Sequence, residues 1–335
     1  MKRTSIYFTG PQRVELREEE LDAPGAGQIQ VRSLVSAVSA GTEILVYKGE
    51  ALQEMAADSY ISALRGSLAY PLKYGYSMAG EVIQLGEGVG DEWEGRRVFA
   101  FNPHETALNA NIADVQPLPD GIAIEDAAFL ANMETALSLV QDGKPLIGEK
   151  VVVLGQGIVG LLTTALLARH PLMRLVTVDG LELRRDFSRR LGAHESQHPE
   201  QIASQAGDFL REGSVDLVYE LTGDPEAINL ALDLVGEHGR IVVGSWYGAR
   251  QAPINLGGKF HRGRIKIISS QVSQIEPTLR GRWDQARRFE QAWKWAREIK
   301  PSQLVTHRFR FAEAAEAYKL LAESLESALG VLFQY

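Results

Sequence analysis

Residues 150–180 read KVVVLGQGIVGLLTTALLARHPLMRLVTVDG. The β-branched run Val151-Val152-Val153 favours a strand. Gly155-Gln156-Gly157-Ile158-Val159-Gly160 follows it as G-x-G-x-x-G, and the apolar stretch 161–169 then reads as a helix. Residues 175–178 form the next strand candidate, and Asp179 ends it, 19 positions after Gly160. A lone G-x-G-x-x-G is a weak signal. Between a strand and a helix, and followed by an acid at this spacing, it is a strong dinucleotide fingerprint. The glycines permit a tight turn and let backbone approach a pyrophosphate, while the helix N-terminus offers free N–H groups to that anion. Residues 151–168 carry no charge and nearly reach the length of a membrane span. Three glycines interrupt the first half, so a buried strand, turn and helix explain the stretch better.

Outward from this turn, strands and helices alternate. Strands are expected at 150–154, 175–178, 215–220, 239–244 and 265–269, and helices at 161–169, 183–191 and 225–235. Such alternation implies βαβ units and a parallel sheet with helices on both faces. Thr222, Gly223, Gly244 and Ser245 follow two of these strands, where ligands bind in open α/β sheets. Upstream, 28–38, 80–85 and 97–101 read as strands punctuated by glycines, a compact and mainly β region. One helix is expected over 124–140. Two amphipathic helices, 284–298 and 312–325, and a strand at 328–333 close the chain. The expected division is 1–123 with 271–335 against 124–270.

The chain has 335 residues, 45% hydrophobic and 23% charged, enough for about two ordinary globular domains. Asp and Glu number 43 against 35 Lys and Arg, a net charge of −8. That opposes nucleic-acid binding, which needs a basic face. With no cysteine, disulfides and thiolate metal sites are impossible. The N-terminal MKRTSIYFTG holds no apolar leader core, so a cytoplasmic protein without membrane attachment is expected.

Beyond the glycine turn, the residues resemble the medium-chain dehydrogenase/reductase family, the alcohol dehydrogenase superfamily. The resemblance runs through Gly41-Thr42-Glu43, the segment 75–82 (GYSMAGEV), Gly95-Arg96-Arg97-Val98, Leu118-Pro119-Asp120-Gly121 and the tail from Thr306 to Tyr318. It implies an α/β protein: a mainly β, GroES-like catalytic domain built from both chain ends, and a Rossmann doubly wound parallel-sheet domain between them. It also implies a small-molecule substrate and a homodimer or homotetramer. Where zinc members of the family carry ligands, this chain has Ala40, Tyr76, Ser77 and Ala131. The resemblance therefore implies a zinc-free member.

The expected cofactor is NAD, held by Gly155, Gly157, Ile158, Val159, Gly160, Asp179, Thr222, Gly223, Gly244, Ser245 and Thr135. Asp179 would accept ribose hydroxyls and repel the extra phosphate of NADP. Arg184, five residues on, would partly offset that repulsion. Tyr76 takes a metal-ligand position, so its hydroxyl is a candidate hydrogen-bond donor to a developing oxyanion, or a space-filler. Thr42 matches the family's proton-relay hydroxyl, or caps a turn. Glu43 reads as the structural partner of an arginine, and Glu134 as a carboxylate at a helix start. Trp246-Tyr247 wall a substrate or simply pack. His194-Glu195-Ser196-Gln197-His198 matches H-E-x-x-H, but Gly192 and Pro199 flank it, so a strand or loop is expected in place of a metal-binding helix. These residues leave two functions open: hydride transfer to or from a carbonyl or activated C=C bond, or a dinucleotide-binding sensor without turnover.

Overall fold

The computed structural model describes residues 1–204, 215–324 and 326–335; the last position of the expected helix 312–325 lies outside them. The chain forms two compact units, Met1–Ala131 with Trp293–Tyr335, and Asn132–Ala292.

The inner unit is built on VVVL. Strand β8, Lys150–Leu154, lies inside a six-stranded parallel sheet with β9 (Arg174–Val178) and β10 (Glu195–Gln197) on one side. On the other side run β11 (Val215–Glu220), β12 (Val235–Val243) and β13 (Lys266–Ser269). The order 10-9-8-11-12-13 reverses direction at β8, the topology of a doubly wound fold. Alternate residues of β8 feed opposite cores. Val152 and Leu154 pack with Val176, Val178, Val218, Ile241 and Leu234; Val151 and Val153 pack with Leu175, Leu217, Tyr219 and Leu139. A strand buried on both faces reads as a continuous apolar run, which is why this one shows no alternation. Helix α4, Ile158–Leu167, begins at the glycine turn.

The outer unit starts with a hairpin, β1 (Lys2–Gly10) and β2 (Arg13–Glu20). Sequence reading singled out neither strand. Its seven-stranded sheet runs β14 (Val305–Arg310), β15 (Gly330–Gln334), β3 (Gln28–Ala37), β4 (Met78–Leu85), β5 (Arg97–Ala100) and β7 (Val115–Pro117), with β6 (Ala107–Asn111) also paired to β3. The C-terminal strand β15 pairs antiparallel with β3, so the two chain ends share one sheet. Ile29, Val31, Met78, Val82, Val98 and Leu108 form its core. A helix the sequence did not reveal, α1 (Ala40–Lys48), follows β3.

The single helix expected at 124–140 is two, α2 (Ile124–Ala127) and α3 (Leu130–Gly143). The Phe129 N–H bonds to the Asp126 carbonyl three residues back, 3.1 Å, so the first helix tightens and ends there. Within segment 194–198, Glu195–Gln197 is strand β10 and no residue is helical. His194 Nδ1 accepts the Leu175 N–H at 2.9 Å, and Glu195 binds Arg174.

The hairpin carries a charge cluster. Glu19 takes Arg3 Nε at 2.9 Å, Lys73 Nζ at 3.2 Å and the Tyr7 hydroxyl. Burial works to raise the Glu19 carboxyl, but the Tyr7 hydrogen bond and the Lys73 and Arg3 cations outweigh it and hold the pKa at about 2, against an ordinary 4.5. Burial and the same hydrogen bond push Tyr7 up from 10.0 to about 12. The depressed acid contributes stability that is fully present above pH 4.5 and is lost as pH falls toward 2. The raised phenol contributes stability that is present below pH 10 and is lost as pH rises toward 12. Urea midpoints of Glu19→Gln measured against pH should therefore show a flatter acid limb than wild type. An unchanged limb would remove Glu19 from the account.

Candidate functional site

The glycine turn explains itself sterically. Gly155 has φ +86°, and a Cβ there would lie 2.5 Å from the Leu221 carbonyl oxygen. A Cβ on Gly160 would lie 2.0 Å from the Gly155 carbonyl oxygen, so α4 sits directly on the turn. Gly157, the residue before α4, has nothing within 4 Å of the Cβ direction. Ile158 and Val159 are half-buried beside that opening, and their N–H groups belong to the first turn of a helix, which has no internal acceptors. Sequence reading missed Gln156. It is fully buried, donates to the Gly155 carbonyl at 3.0 Å and accepts the Thr164 hydroxyl at 2.9 Å, tying turn to helix.

Asp179 stands at the end of β9, 8% exposed. Oδ2 accepts the Gln156 N–H at 2.7 Å and Oδ1 the Leu181 N–H at 2.9 Å. Each carboxylate oxygen keeps a further acceptor site. Arg184 Nη1 is 3.7 Å from Oδ2, and Arg184 Nε is buried without a hydrogen-bond partner.

The ends of β11 and β12 are joined through Glu220, a fully buried carboxylate. Oε1 accepts the Thr222 N–H at 2.7 Å and its hydroxyl; Oε2 accepts the Tyr247 hydroxyl. Burial, then the Glu220 charge, push the Tyr247 phenol far up. Gly223 donates its N–H to Ser245 Oγ at 2.9 Å. Gly244 is pressed by Leu139 of α3, leaving no room for a side chain. Thus Gly155, Gly157, Ile158, Val159, Gly160, Asp179 and Arg184 cluster at one turn, and Thr222, Gly223, Gly244 and Ser245 at the neighbouring strand ends. Thr135 lies half-buried in α3.

Glu134 is not simply a helix-start carboxylate. It accepts Arg288 Nε at 3.0 Å and Nη2 at 2.7 Å, and Arg288 is 1% exposed. Burial raises the Glu134 carboxyl and the Arg288 charge opposes that. Two charges that desolvate each other decide its role, ahead of the helix dipole.

In the outer unit, Tyr76 Oη donates to Thr42 Oγ1 at 3.2 Å and shares a short hydrogen bond with Ser39 Oγ. Tyr76 and Thr42 are part-exposed; Ser39 is buried. Burial raises the Tyr76 phenol, the Ser39 and Thr42 hydrogen bonds lower it, and Glu43 and Asp58 raise it. Gly75, with φ +113°, presses on His104: a Cβ would stand 2.6 Å from the ring. Among the described residues, Glu43 has no arginine partner. It accepts the Ser39 N–H at 2.7 Å, the Tyr318 hydroxyl at 2.6 Å and His104 Nε2 at 3.0 Å. His104 Nδ1 in turn meets Ser36 Oγ at 2.7 Å, and Ser36 meets the Tyr335 hydroxyl at 2.9 Å. All of Ser36, Glu43, His104 and Tyr318 are fully buried. Among the described residues, no three His, Cys, Asp or Glu side chains are grouped to hold a metal ion, and no helix is long and apolar enough to cross a membrane.

Comparisons with known proteins agree with this architecture. Residues 159–295 match the family model described as zinc-binding dehydrogenase. A D-guloside 3-dehydrogenase of Escherichia coli K12 is 24% identical over 333 residues, covering 93% of this chain and 94% of that protein. The structure of an alcohol dehydrogenase from E. coli CFT073 in complex with NADH superposes with a TM-score of 0.81 at 18% identity, over 100% of this chain and 99% of that one. A protein of Sinorhizobium meliloti 1021 bound to NADP gives 0.80 at 17% identity, over the whole of both chains. With its parallel nucleotide-type sheet, glycine turn and antiparallel second unit, the chain is similar over most of its length to dehydrogenases of the medium-chain type, a likeness that supports an NAD(P)-dependent oxidoreductase.

Proposed function

We propose that the protein is a zinc-independent, NAD(H)-dependent oxidoreductase that moves a hydride to or from a carbonyl/alcohol or activated C=C substrate, the carbonyl/alcohol pair being favoured. The observation that carries this reading is the hydrogen bond from Tyr76 to Thr42. By the family resemblance, Tyr76 replaces a zinc ligand and Thr42 matches the relay hydroxyl, and the bond supports reading them as a protic pair. A hydroxyl pair delivers a proton to oxygen without a Lewis acid.

The residues fit a dinucleotide. The open space over Gly157, the spare acceptor sites of Asp179 and the unpartnered Arg184 Nε together offer contacts to pyrophosphate and ribose. When bound, the cofactor supplies or accepts the hydride. They do not fit zinc: Ala40 and Ala131 have no donor, and the Tyr76 oxygen is committed to Ser39 and Thr42. Glu43 and His104 are two donors bonded to each other. Elemental analysis should find no stoichiometric zinc, and chelators should leave activity unchanged. About one zinc per chain would refute the zinc-free reading.

NADH should bind more tightly than NADPH. A charge-assisted hydrogen bond contributes roughly 1.5–3 kcal/mol, so two ribose contacts at Asp179 support at least a tenfold preference. Asp179→Ala should narrow the gap. Because Asp179 also holds the Gln156 N–H, Asp179→Asn, which keeps an acceptor, separates charge from turn geometry. Fluorescence titration with both cofactors measures this, and equal or reversed wild-type affinities would refute the assignment.

The cysteine-free composition supports a cytoplasmic location, and the family resemblance supports a homodimer or homotetramer acting on a small molecule. The deciding experiment is an NADH-oxidation screen across carbonyls, enones and quinones. NADH binding without oxidation of any of them would favour a dinucleotide sensor.

A further inference from the structure

Ser39 immediately precedes α1, where a serine ordinarily turns its hydroxyl back to accept a free helix N–H. Here it does not. Its backbone has φ −84° and ψ 80°, its side chain makes no capping bond, and its Oγ is turned to the Tyr76 hydroxyl. Its own N–H is held by the Glu43 carboxylate. A cap is thus forgone at the helix start, and the hydroxyl is spent on a tyrosine 37 positions away.

The proton directions follow from valence. A phenol has one hydrogen, and Tyr76 donates it to Thr42 Oγ1. Ser39 must therefore be the donor in the bond it shares with Tyr76. The scaffold holds both ends of this chain. Glu43 fixes Ser39 through its N–H and fixes His104 through Nε2, while the His104 ring bears on Gly75, the residue before Tyr76. One buried carboxylate registers the start of α1 against the turn that carries the tyrosine.

We propose that Ser39 is a positioning residue that orders the hydroxyls as Ser39 to Tyr76 to Thr42, so that the Thr42 hydroxyl is the one presented to the substrate oxygen. The proposal rests on the oxidoreductase reading above. In carbonyl reduction, a bound nicotinamide would supply the hydride to carbon, and the carbonyl oxygen takes the proton of Thr42 Oγ. The Thr42 O–H bond is restored with the Tyr76 proton. The phenolate so formed accepts the Ser39 hydrogen bond until water, reaching the part-exposed ring, reprotonates it. The net consumption is one hydride and one proton. The charged groups facing Tyr76 are Glu43 of α1 and Asp58 of the segment between α1 and β4, and both disfavour the phenolate; the Tyr74 ring packs edge-on at 6.3 Å. The Ser39 and Thr42 hydrogen bonds are what favour it.

The test labels the protein with 3-fluorotyrosine and follows the Tyr76 fluorine resonance, assigned by its loss in Tyr76→Phe. In Ser39→Ala that resonance should move and its ionisation should shift up by about one pH unit, a tenfold change in the dissociation constant. Ser39→Thr, which keeps the hydroxyl, should restore both. The Tm of Ser39→Ala should fall only by the small amount that one lost hydrogen bond costs, because no cap is lost. With a turning-over substrate, kcat should fall about tenfold while KM and NADH affinity hold. A Tyr76 resonance and titration unmoved in Ser39→Ala, with a Tm lowered beyond that small amount, would make Ser39 a helix cap and overturn the proposal. If the resonance responds as expected but wild type oxidises no NADH, the hydroxyl order stands and the oxidoreductase reading is what fails.

Discussion

Arg288→Ala is expected to destabilise the protein by about 3–5 kcal/mol, the usual cost of removing one partner of a buried ion pair. Arg288 is 1% exposed and reaches Glu134 with two guanidinium nitrogens, 3.0 and 2.7 Å away; it also donates to the Val272 and Gln274 carbonyls. Its loss leaves the Glu134 carboxylate buried with no counter-charge. Arg288→Lys should recover little, because an ammonium cannot reproduce the planar fork. Removing both charges, as Arg288→Met with Glu134→Leu, should recover most of the loss. The pH dependence has a definite sign. In Arg288→Ala, burial alone acts on Glu134 and keeps its folded pKa above the ordinary 4.5. The deficit is then smallest below that value, where the carboxyl is neutral in both states, and grows as pH rises. Urea unfolding at two pH values measures all of this. A deficit under about 1 kcal/mol, the range of a surface pair, would mean the pair is solvated in solution.

Tyr76→Phe is expected to lower turnover by roughly 10²–10³ while leaving NADH affinity nearly unchanged. Phenylalanine keeps the ring and its edge-on contact with Tyr74, so the change isolates the hydroxyl. That hydroxyl is bonded to both Ser39 and Thr42. Without it Thr42 has no proton behind it. A loss below about threefold, which corresponds to less than ~0.7 kcal/mol, would reduce Tyr76 to a space-filler and make Thr42→Ala the decisive variant.

The glycine turn was legible because everything it needs is local. A β-branched run, three glycines and an acid after the next strand fix a strand, a turn with positive φ and a helix start within thirty residues of chain. The parallel sheet followed from alternation alone, and the return of the C-terminal strand from the family resemblance. The break at Ala128 and Phe129 was not legible, since both residues are ordinary helix formers and a tightened turn at Asp126 ended α2. Nor was α1, whose apolar residues lack a helical stripe.

The buried polar partners were beyond the reach of pattern. His104 looked like one of several scattered histidines, yet it joins Ser36, 68 positions away, to Glu43, 61 positions away. Glu43 meets Tyr318 across 275 positions and Arg288 meets Glu134 across 154. Such pairs carry no period and no fixed spacing. They exist because a desolvated charge must find a partner wherever the closed fold brings one, and β15 beside β3 and the first half of helix Gln285–Ile299, which carries Arg288, decide where that is. By itself the sequence determined the backbone path of the glycine turn. Only the tertiary structure decided that Ser39 gives up its cap for Tyr76, because the direction of a hydroxyl depends on what has been folded against it.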